Sequence, residues 1–301
     1  MSQIYLGSRV LNPFVLDLTF SPYFQGKTFT VAATGVDTIT GVVPSDNHVE
    51  VYVPKPNTTY TVTCDGISKT VATESYFGYY ACVFNLDLAT APWDTIAAIS
   101  ESGQASNVWN IGDEKDITVG NETITLQIYD FNHDDLSTSG KAGITFGLKN
   151  LMASTKAMNS SNTNSGGFTG SAMYTWLQGD LYNSLPSDLK SVIKEVKKKT
   201  SAGSQSTTIN TNSMKIFLFS EAECFGATTY SVSGEGTQYP IFTDAASRIK
   251  KLSNGSGSAY SWWERSPSTS NSTSFCAAGN DGSADSGSAS STRGVCFGFC
   301  I

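Results

Sequence analysis

Histidine is the side chain best suited to proton transfer near neutral pH, and this chain of 301 residues has two, His48 and His133. His48 falls among predicted strands of the N-terminal third, and His133 falls in an acidic segment at residues 130–135. So few histidines give no basis for assigning a Ser-His-Asp triad. We assign no catalytic residue and predict that the chain is not an enzyme.

The acidic segment Asp-Phe-Asn-His-Asp-Asp at residues 130–135 resembles the opening of a calcium-binding loop. Such a loop requires glycine at its sixth position for a sharp turn and glutamate at its twelfth to bind the ion with both oxygens. Asp135 and Lys141 occupy these positions here. We therefore interpret the segment as an acidic turn, and calcium binding near Asp130 stays an open alternative.

The cysteines lack the Cys-x-x-Cys spacing and the histidine partners of structural zinc sites. Cys296 and Cys300 would lie about 13 Å apart on an extended strand at ~3.3 Å per residue, which is too far for a disulfide. We predict buried free thiols, no metal site and no cofactor. The full set is Cys64, Cys82, Cys224, Cys276, Cys296 and Cys300.

The chain carries a net charge of −7, whereas nucleic-acid binding requires clustered Lys and Arg, so we predict none. The basic run at residues 197–199 ends a helical pattern, and we interpret it as a solvated helix end. No apolar run approaches the ~20 residues of a membrane span. The N-terminus lacks the apolar region of a signal peptide, so we expect synthesis in a cytoplasm and no membrane insertion.

The C-terminal region has the most unusual pattern of the chain. Residues 266–292 are nearly all Ser, Thr, Ala, Gly, Asn and Asp, a composition typical of a disordered linker. A linker joins two elements, however, and this stretch leads into Val295, Phe297, Phe299 and Ile301, which share one face of a strand. We therefore expect the stretch to be ordered and to display its small polar side chains for recognition.

Residues 1–86 predict an all-β, immunoglobulin-like sandwich. Residues 54–62 resemble the part of fibronectin type III modules in which a tyrosine, here Tyr60, bonds back to the upstream backbone. Asp65-Gly66 predicts a two-residue hairpin turn. Runs of β-branched and aromatic residues predict strands at residues 28–32, 49–53, 59–64 and 67–71.

Residues 92–301 predict a single α+β domain. A helix begins near Pro92, with Trp93, Ile96, Ala97 and Ser100 on its apolar face. Further helices are predicted from 3.6-residue periodicity at residues 171–182, 187–198 and 243–252. Strands are predicted at residues 117–119, 123–131, 143–151 and 214–219 and at the C-terminus.

Several motifs of this region resemble an uncharacterised family of bacterial and phage domains. Those domains end in Trp-Leu-Arg-Ser-Pro, a variable stretch and a Gly-Val strand, and residues 262–267 and 294–295 follow this pattern. Glu264 stands where the family has leucine, a departure that concerns local packing and not the fold. The other matching segments are residues 109–113, 131–135, 143–146, 171–177 and 215–221.

The family is in turn similar to the C-type-lectin-like fold of formylglycine-generating enzymes and of variable proteins diversified by retroelements. The resemblance implies a C-type-lectin-like ligand-binding domain at residues 92–301, with a variable region at about 262–295. Diversification of adenines in Asn-type codons never yields Lys, Glu, Gln, Met or Trp, and residues 266–292 contain none of these. This composition is compatible with diversification and also with an ordinary serine-rich loop.

The resemblance implies that the variable region binds the ligand. Phe275 is the one aromatic residue between 268 and 292 and could serve as a buried anchor, with an orientation toward the core as the alternative. The expected ligand-binding residues are Ser268, Ser270, Asn271, Ser272, Phe275, Ala277, Asn280, Asp281, Ser283, Asp285, Ser286, Ser288 and Ser290.

These expectations describe a receptor-binding protein of a phage tail, located on the virion and recognising a host cell-surface protein or glycan. Residues 4–9 also resemble the start of phage tail and baseplate proteins, with an ordinary first strand as the alternative. A homotrimer and other tail proteins are the expected partners. The alternatives are a bacterial surface or secreted adhesin, and an oxidase of the formylglycine-generating type that would use Cys296 and Cys300.

Overall fold

The computed structural model describes residues 5–6, 9–10, 14–254 and 257–301. Strands make up 41% of the chain and helices 15%, so the protein is β-rich. Contacts within the chain divide it into two compact units, Met1–Asp87 and Leu88–Ile301. Part of the phage-tail-like opening at residues 4–9 lies outside the described residues.

The first unit consists almost entirely of strands. Three sheets can be traced among its described residues, with the strand orders β1-β2, β6-β3-β9 and β5-β4-β7-β8. Strand β3 pairs antiparallel with β6 and parallel with β9. The strands are β1 Tyr5–Leu6, β2 Arg9–Val10, β3 Phe14–Phe20, β4 Thr28–Ala33, β5 Val36–Val42, β6 His48–Val53, β7 Thr59–Cys64, β8 Ile67–Ala72 and β9 Gly78–Phe84, with a 3₁₀ turn at Pro22–Phe24.

Strand β7 shows how the sequence forms this unit. Tyr60, Val62 and Cys64 alternate with more exposed residues and are buried in the core. The turn to β8 is made by Asp65 and Gly66, both with positive φ (50° and 78°), as a two-residue turn of this type requires. The predicted hairpin is therefore confirmed, with the pairs running from Thr59 and Ala72 to the turn.

The hydroxyl of Tyr60 closes a short loop onto upstream backbone. It accepts a hydrogen bond from the backbone N–H of Lys55 at 3.1 Å and lies 3.4 Å from the carbonyl oxygen of the same residue. Because the tyrosine ring is fully buried, this contact satisfies its polar end. The predicted bond of Tyr60 to upstream backbone is confirmed.

The second unit contains the helices and the remaining strands. Its helices are α1 Trp93–Glu101, α2 Ala105–Val108, α3 Ala172–Trp176, a π-helical turn Leu177–Leu181, α4 Tyr182–Ser184, α5 Ser187–Val192, α6 Glu221–Phe225 and α7 Ala245–Arg248. Its strands are β10 Glu114–Val119, β11 Glu122–Phe131, β12 Ile144–Leu148, β13 Lys156–Ala157, β14 Val196–Ser201, β15 Ile209–Met214, β16 Ile216–Leu218, β17 Lys250–Lys251, β18 Ala259–Tyr260, β19 Trp262–Pro267, β20 Ser274–Ala278, β21 Ala284–Ser288, β22 Thr292–Arg293 and β23 Phe297–Cys300.

The main sheet of this unit has the order β10-β11-β12-β23-β16. The C-terminal strand β23 lies inside the sheet, antiparallel to both of its neighbours, and all of its side chains are buried. Phe299 of this strand stacks on Phe146 of β12, with ring centroids 5.5 Å apart. The end of the chain is thus fixed in the core of the second unit.

The serine-rich stretch forms strands β20 and β21 and the connections around them. Strand β19 pairs with β20, and β20 pairs with β21, which makes an antiparallel meander. Trp262 and Trp263 at its start are fully buried, and their ring nitrogens donate to the carbonyl oxygens of Arg248 and Lys156 at 3.0 and 2.8 Å. The structure therefore agrees with the expectation that this stretch is ordered.

The predicted helix at residues 187–198 is too long. Helix α5 ends at Val192, and Lys197, Lys198 and Lys199 lie on strand β14, paired with β15. The interpretation of this run as a solvated helix end is wrong, because Lys198 is 1% exposed while its two neighbours are exposed. The apolar spacing fits a helix, but the residues from 196 to 200 also alternate between inward and outward positions as a strand requires.

Candidate functional site

The structure separates the expected ligand-binding residues by accessibility. Ser268, Phe275 and Ala277 are buried, so their side chains are not open to a ligand, and Phe275 takes the core orientation. Asp285, Ser286 and Ser288 on β21 are half-buried, and the exposed members are Ser270, Asn271, Ser272, Asn280, Asp281, Ser283 and Ser290.

The loops that connect the meander strands are held by local hydrogen bonds. Asn271 Oδ1 accepts from the backbone N–H and the hydroxyl of Thr273 at 2.9 and 2.6 Å. Asp281 Oδ1 accepts from the backbone N–H and the hydroxyl of Ser283 at 3.0 and 2.6 Å. Such contacts between a short side chain and the backbone two residues later stabilise tight turns. The exposed polar side chains therefore stand on ordered loops.

A surface pocket of about 340 Å³ lies at one end of the meander. We name it the meander pocket, and it brings together two expected ligand-binding residues, Asn280 and Asp285. Arg293 forms an ion pair of 2.8 Å with Asp285, and its guanidinium lies 5.2 Å from the ring centroid of the buried Trp263. Tyr260, which is 36% exposed, adds an aromatic ring to the lining.

Glu221 links a neighbouring loop to the start of the serine-rich stretch. Its buried carboxylate accepts hydrogen bonds from the backbone N–H groups of Thr229, Tyr230 and Ser231 at 2.9, 3.0 and 2.7 Å. The carbonyl oxygen of Tyr230 then accepts from the N–H of Thr269 at 2.8 Å. The buried side chain of Glu221, distant in sequence, thus helps to position the exposed loop that begins at Thr269.

Four charged side chains form what we name the buried charge cluster: Asp134, Lys198, Glu223 and Arg265. Lys198 Nζ lies 2.5 Å from Asp134 Oδ1 and 3.0 Å from Glu223 Oε1. Arg265 contacts both oxygens of Glu223, at 2.5 and 2.9 Å. Each of the four side chains is at most 5% exposed, so the two cations and the two carboxylates balance each other out of contact with water.

Electrostatics favour the ionised form of the carboxylates of this cluster. Burial penalises the charged form of Asp134, but the charge of Lys198 and the donors around the carboxylate outweigh it and lower its pKa. Burial is likewise outweighed at Glu223, where Arg265 and Lys198 lower the pKa. The cluster is therefore an ion network whose members depend on each other.

Glu264 shows the opposite behaviour. It is fully buried, and among the described residues neither of its carboxylate oxygens has a hydrogen-bond partner of ordinary geometry. Burial, with a contribution from Glu221, raises its pKa well above the ordinary value, and the weak donor Cys224 offsets this only in part. Burial thus favours the neutral form of Glu264, at the position where the resembled family has leucine.

The acidic segment is a turn at the end of β11, as expected, but its members have separate roles. Asp130 pairs with His133 at 2.7 Å, and Asp135 pairs with Lys141 at 2.8 Å. Asp134 faces inward to Lys198. Within the described part of the chain, no group of three or more His, Cys, Asp or Glu side chains is arranged to hold a metal ion.

The cysteines are all buried free thiols, as the spacing predicted. Cys296 lies 3.5 Å from the hydroxyl of Tyr129, and Cys300 lies 3.4 Å from that of Thr145. Burial raises the pKa of the Cys300 thiol well above its ordinary value, which opposes formation of the reactive thiolate.

Sequence reasoning missed several residues that position this site. Two signals were available: the alternation of β14, which places Lys198 inward, and Ser220-x-x-Glu223, a capping box that starts α6. The positions of the others depend on contacts across the second unit. The missed residues are Asp134, Lys198, Glu221, Glu223, Tyr260, Arg265 and Arg293.

No helix of the described residues is both long and apolar enough to span a membrane. Neither a curated protein nor a solved structure matches the chain. A family model described as a domain of unknown function (DUF6273) matches residues 142–301, which include the buried charge cluster except Asp134, and the whole meander. The expectation of an uncharacterised domain family is therefore confirmed, and the chain belongs to the DUF6273 family.

Proposed function

We propose that this protein binds a ligand on a host cell surface through the meander of its second unit. The meander pocket carries the proposal, because it joins Asn280 and Asp285 to Tyr260 and Arg293 in one accessible depression of about 340 Å³. An amide, a carboxylate, a guanidinium and an aromatic ring are a small set of convergent groups of the kind that orients a bound ligand.

The chemistry of the pocket favours a glycan over a protein surface. The partly exposed ring of Tyr260 offers a flat apolar surface to the carbon face of a sugar. Asn280 and Asp285 supply donors and acceptors for sugar hydroxyls. Because Arg293 pairs with Asp285, the rim is balanced in charge, which suits a neutral sugar.

The arrangement of the meander supports a role as a variable recognition surface. Its buried residues, including Trp263 and Phe275, belong to the core, whereas the exposed residues are small and polar. Substitution of the exposed residues changes the surface without changing core volume. We therefore propose a C-type-lectin-like fold for the second unit, diversified by a retroelement, and an immunoglobulin-like module for the first.

We propose a phage tail as the setting, with the protein on the virion as a homotrimer in contact with other tail proteins. A bacterial surface or secreted adhesin would use the same meander pocket. Genes next to the coding sequence separate the two settings, because tail genes or a reverse transcriptase support the first and secretion genes support the second.

Alanine substitution of the pocket residues tests the proposal. Asn280→Ala and Asp285→Ala should each weaken binding to host cells or to a positive glycan on an array by about tenfold, the effect of losing ~1.4 kcal/mol. The control is Asn183→Ala, an exposed asparagine of the same unit at α4. Unchanged binding in both pocket variants, with the proteins folded, contradicts the proposal.

A further inference from the structure

The buried charge cluster places an amine and a carboxyl group in a geometry that permits a reaction between them. We infer that Lys198 and Asp134 react in the folded protein to form an intramolecular amide bond between Nζ and Cγ, with Glu223 as the proton-transfer group. This inference concerns covalent maturation of the second unit and is independent of the proposed binding function.

The reacting groups are in contact and have little freedom. Lys198 Nζ lies 2.5 Å from Oδ1 of Asp134, the oxygen bonded to the carbon under attack, and 3.0 Å from Oε1 of Glu223. Arg265 holds Glu223 through both carboxylate oxygens. Two groups fixed in this way react with an effective concentration of up to about 10⁵–10⁸ M, which favours amide formation over the separate groups.

The second oxygen of Asp134 is held by hydrogen-bond donors. Oδ2 accepts from the hydroxyls of Thr145 and Tyr239, each at 2.7 Å. When the amine attacks the carboxyl carbon, negative charge develops on this oxygen, and the two donors are in position to stabilise it. Oδ1, on the side of Lys198, is the oxygen that leaves.

The reaction balances without an external reagent. The Lys198 ammonium first passes a proton to Oδ1 of Asp134, which produces an amine and a carboxylic acid. The amine attacks Cγ, the Nζ–Cγ bond forms, and Glu223 accepts the next proton from nitrogen. Glu223 returns this proton to the departing oxygen, the Cγ–Oδ1 bond breaks, and one water molecule leaves.

Burial supplies the driving force. The reaction converts a buried ammonium and a buried carboxylate into a neutral amide, which removes the desolvation cost of two charges. Arg265 and Glu223 still balance each other in the product. Aromatic rings surround the lysine, since Nζ lies 4.0 Å from the ring centroid of Phe217 and 5.2 Å from that of Tyr239.

The reacting side chains have little exposed surface, and an adjoining cavity gives the water a way out. Lys198 and Asp134 are 1% and 5% exposed, so bulk water has little access for hydrolysis of the amide. A cavity of about 300 Å³ that is partly open to solvent borders Lys198, Asp134 and Glu223, and Gly234, Gly236 and Thr237 also line it. The released water can leave by this route.

Mass spectrometry of the intact, denatured chain tests the inference. The mass should be lower than the sequence mass by one water molecule, and a tryptic digest should contain one branched peptide that joins the segments of Asp134 and Lys198. A mass equal to that of the sequence, with both linear peptides recovered, overturns the inference whatever the variants show.

Two variants test the assigned roles. Asp134→Asn keeps the electrophilic carbon and should yield the same branched peptide with loss of one ammonia molecule, whereas Lys198→Arg should show no loss. Glu223→Gln removes the proton acceptor and should also leave the full mass, and circular dichroism reports whether that variant is folded. A branched peptide in a folded Glu223→Gln variant overturns the role of Glu223.

Discussion

The side-chain amide of Asn164 donates a hydrogen bond to the backbone carbonyl oxygen of Asn271, with a nitrogen to oxygen distance of 2.9 Å. The same nitrogen lies 3.3 and 2.8 Å from the carbonyl oxygens of Ser268 and Ser274. Asn164 Oδ1 accepts from the N–H of Ser204 at 2.8 Å. The two N–H donors of one buried side chain are thus shared among three carbonyl oxygens at the turn between β19 and β20, which holds a stretch of small polar residues in one conformation.

We expect Asn164→Ala to lower the free energy of unfolding by about 2–4 kcal/mol. Each buried hydrogen bond contributes about 1 kcal/mol, and its loss also leaves a buried backbone group without a hydrogen-bond partner. Limited proteolysis should then cut between residues 268 and 274, where we expect the native protein to resist cleavage. Asn183→Ala, at an exposed position, should change neither property. Equal resistance of native protein and Asn164→Ala would show that this side chain does not hold the loop.

The stability of the fold should depend far more on the buried residues at the start of the meander than on its exposed side chains. Trp263→Ala should lower the free energy of unfolding by about 3–5 kcal/mol because it leaves a cavity in the core. Replacement of the exposed Ser270 or Asn280 by alanine should change it by less than about 0.5 kcal/mol. Denaturant titration measures both, and similar losses from the two sets would show that the displayed residues belong to the core.

Arg265 should be essential for stability. Without it, the buried carboxylate of Glu223 is paired only with Lys198. We expect Arg265→Ala to lower the free energy of unfolding by about 3–5 kcal/mol. Arg265→Lys should recover only part of this loss, because an ammonium cannot contact both oxygens of Glu223 as the guanidinium does. Full recovery by lysine in a thermal melt would contradict the importance of the two-point contact.

Glu264 should make stability depend on pH. Its pKa is raised in the folded state, so the folded chain retains a proton that the unfolded chain releases as the pH rises above the ordinary value of 4.5. The contribution of Glu264 to stability is therefore greatest below this pH and decreases as the pH rises toward the folded-state pKa of this group.

Glu264→Gln should remove this pH dependence, and Glu264→Leu should raise the free energy of unfolding at pH 7 by about 1–3 kcal/mol, since an unsatisfied buried carboxyl is replaced by an apolar side chain. Glu195→Gln, at an exposed position, is the matched control. Denaturant titration from pH 4.5 to 8 measures the free energy of unfolding of each variant and of the native protein. A constant gap between Glu264→Gln and the native protein across this range would exclude the proposed titration.

The local features of the fold could be predicted from the sequence because each depends on nearby residues. The Asp65-Gly66 turn is specified by two adjacent residues, and the apolar face of α1 by the spacing of Trp93, Ile96 and Ala97. Strands β10 and β11 follow from β-branched runs, and their register follows from the short turn at Gly120.

The buried polar groups could not be predicted because they depend on distant partners. Lys198 faces inward only because Asp134 and Glu223, which lie 64 and 25 residues away in the chain, meet it there. Strand β21 likewise has low intrinsic strand preference, being Ala-Asp-Ser-Gly-Ser, and its conformation is set by pairing with β20. The local sequence pattern alone therefore predicted a helix end at Lys198 and an exposed recognition segment at β21.

Exchange of residues 268–292 for the equivalent segment of another DUF6273 protein with a different target tests whether the meander is the recognition surface. Binding to host cells or glycans should move to the donor's target. The melting temperature should shift by less than about 4 °C, the effect of ~1 kcal/mol in a unit of this size. Binding that keeps its original target in the folded exchange variant would contradict the assignment of the meander as the recognition surface.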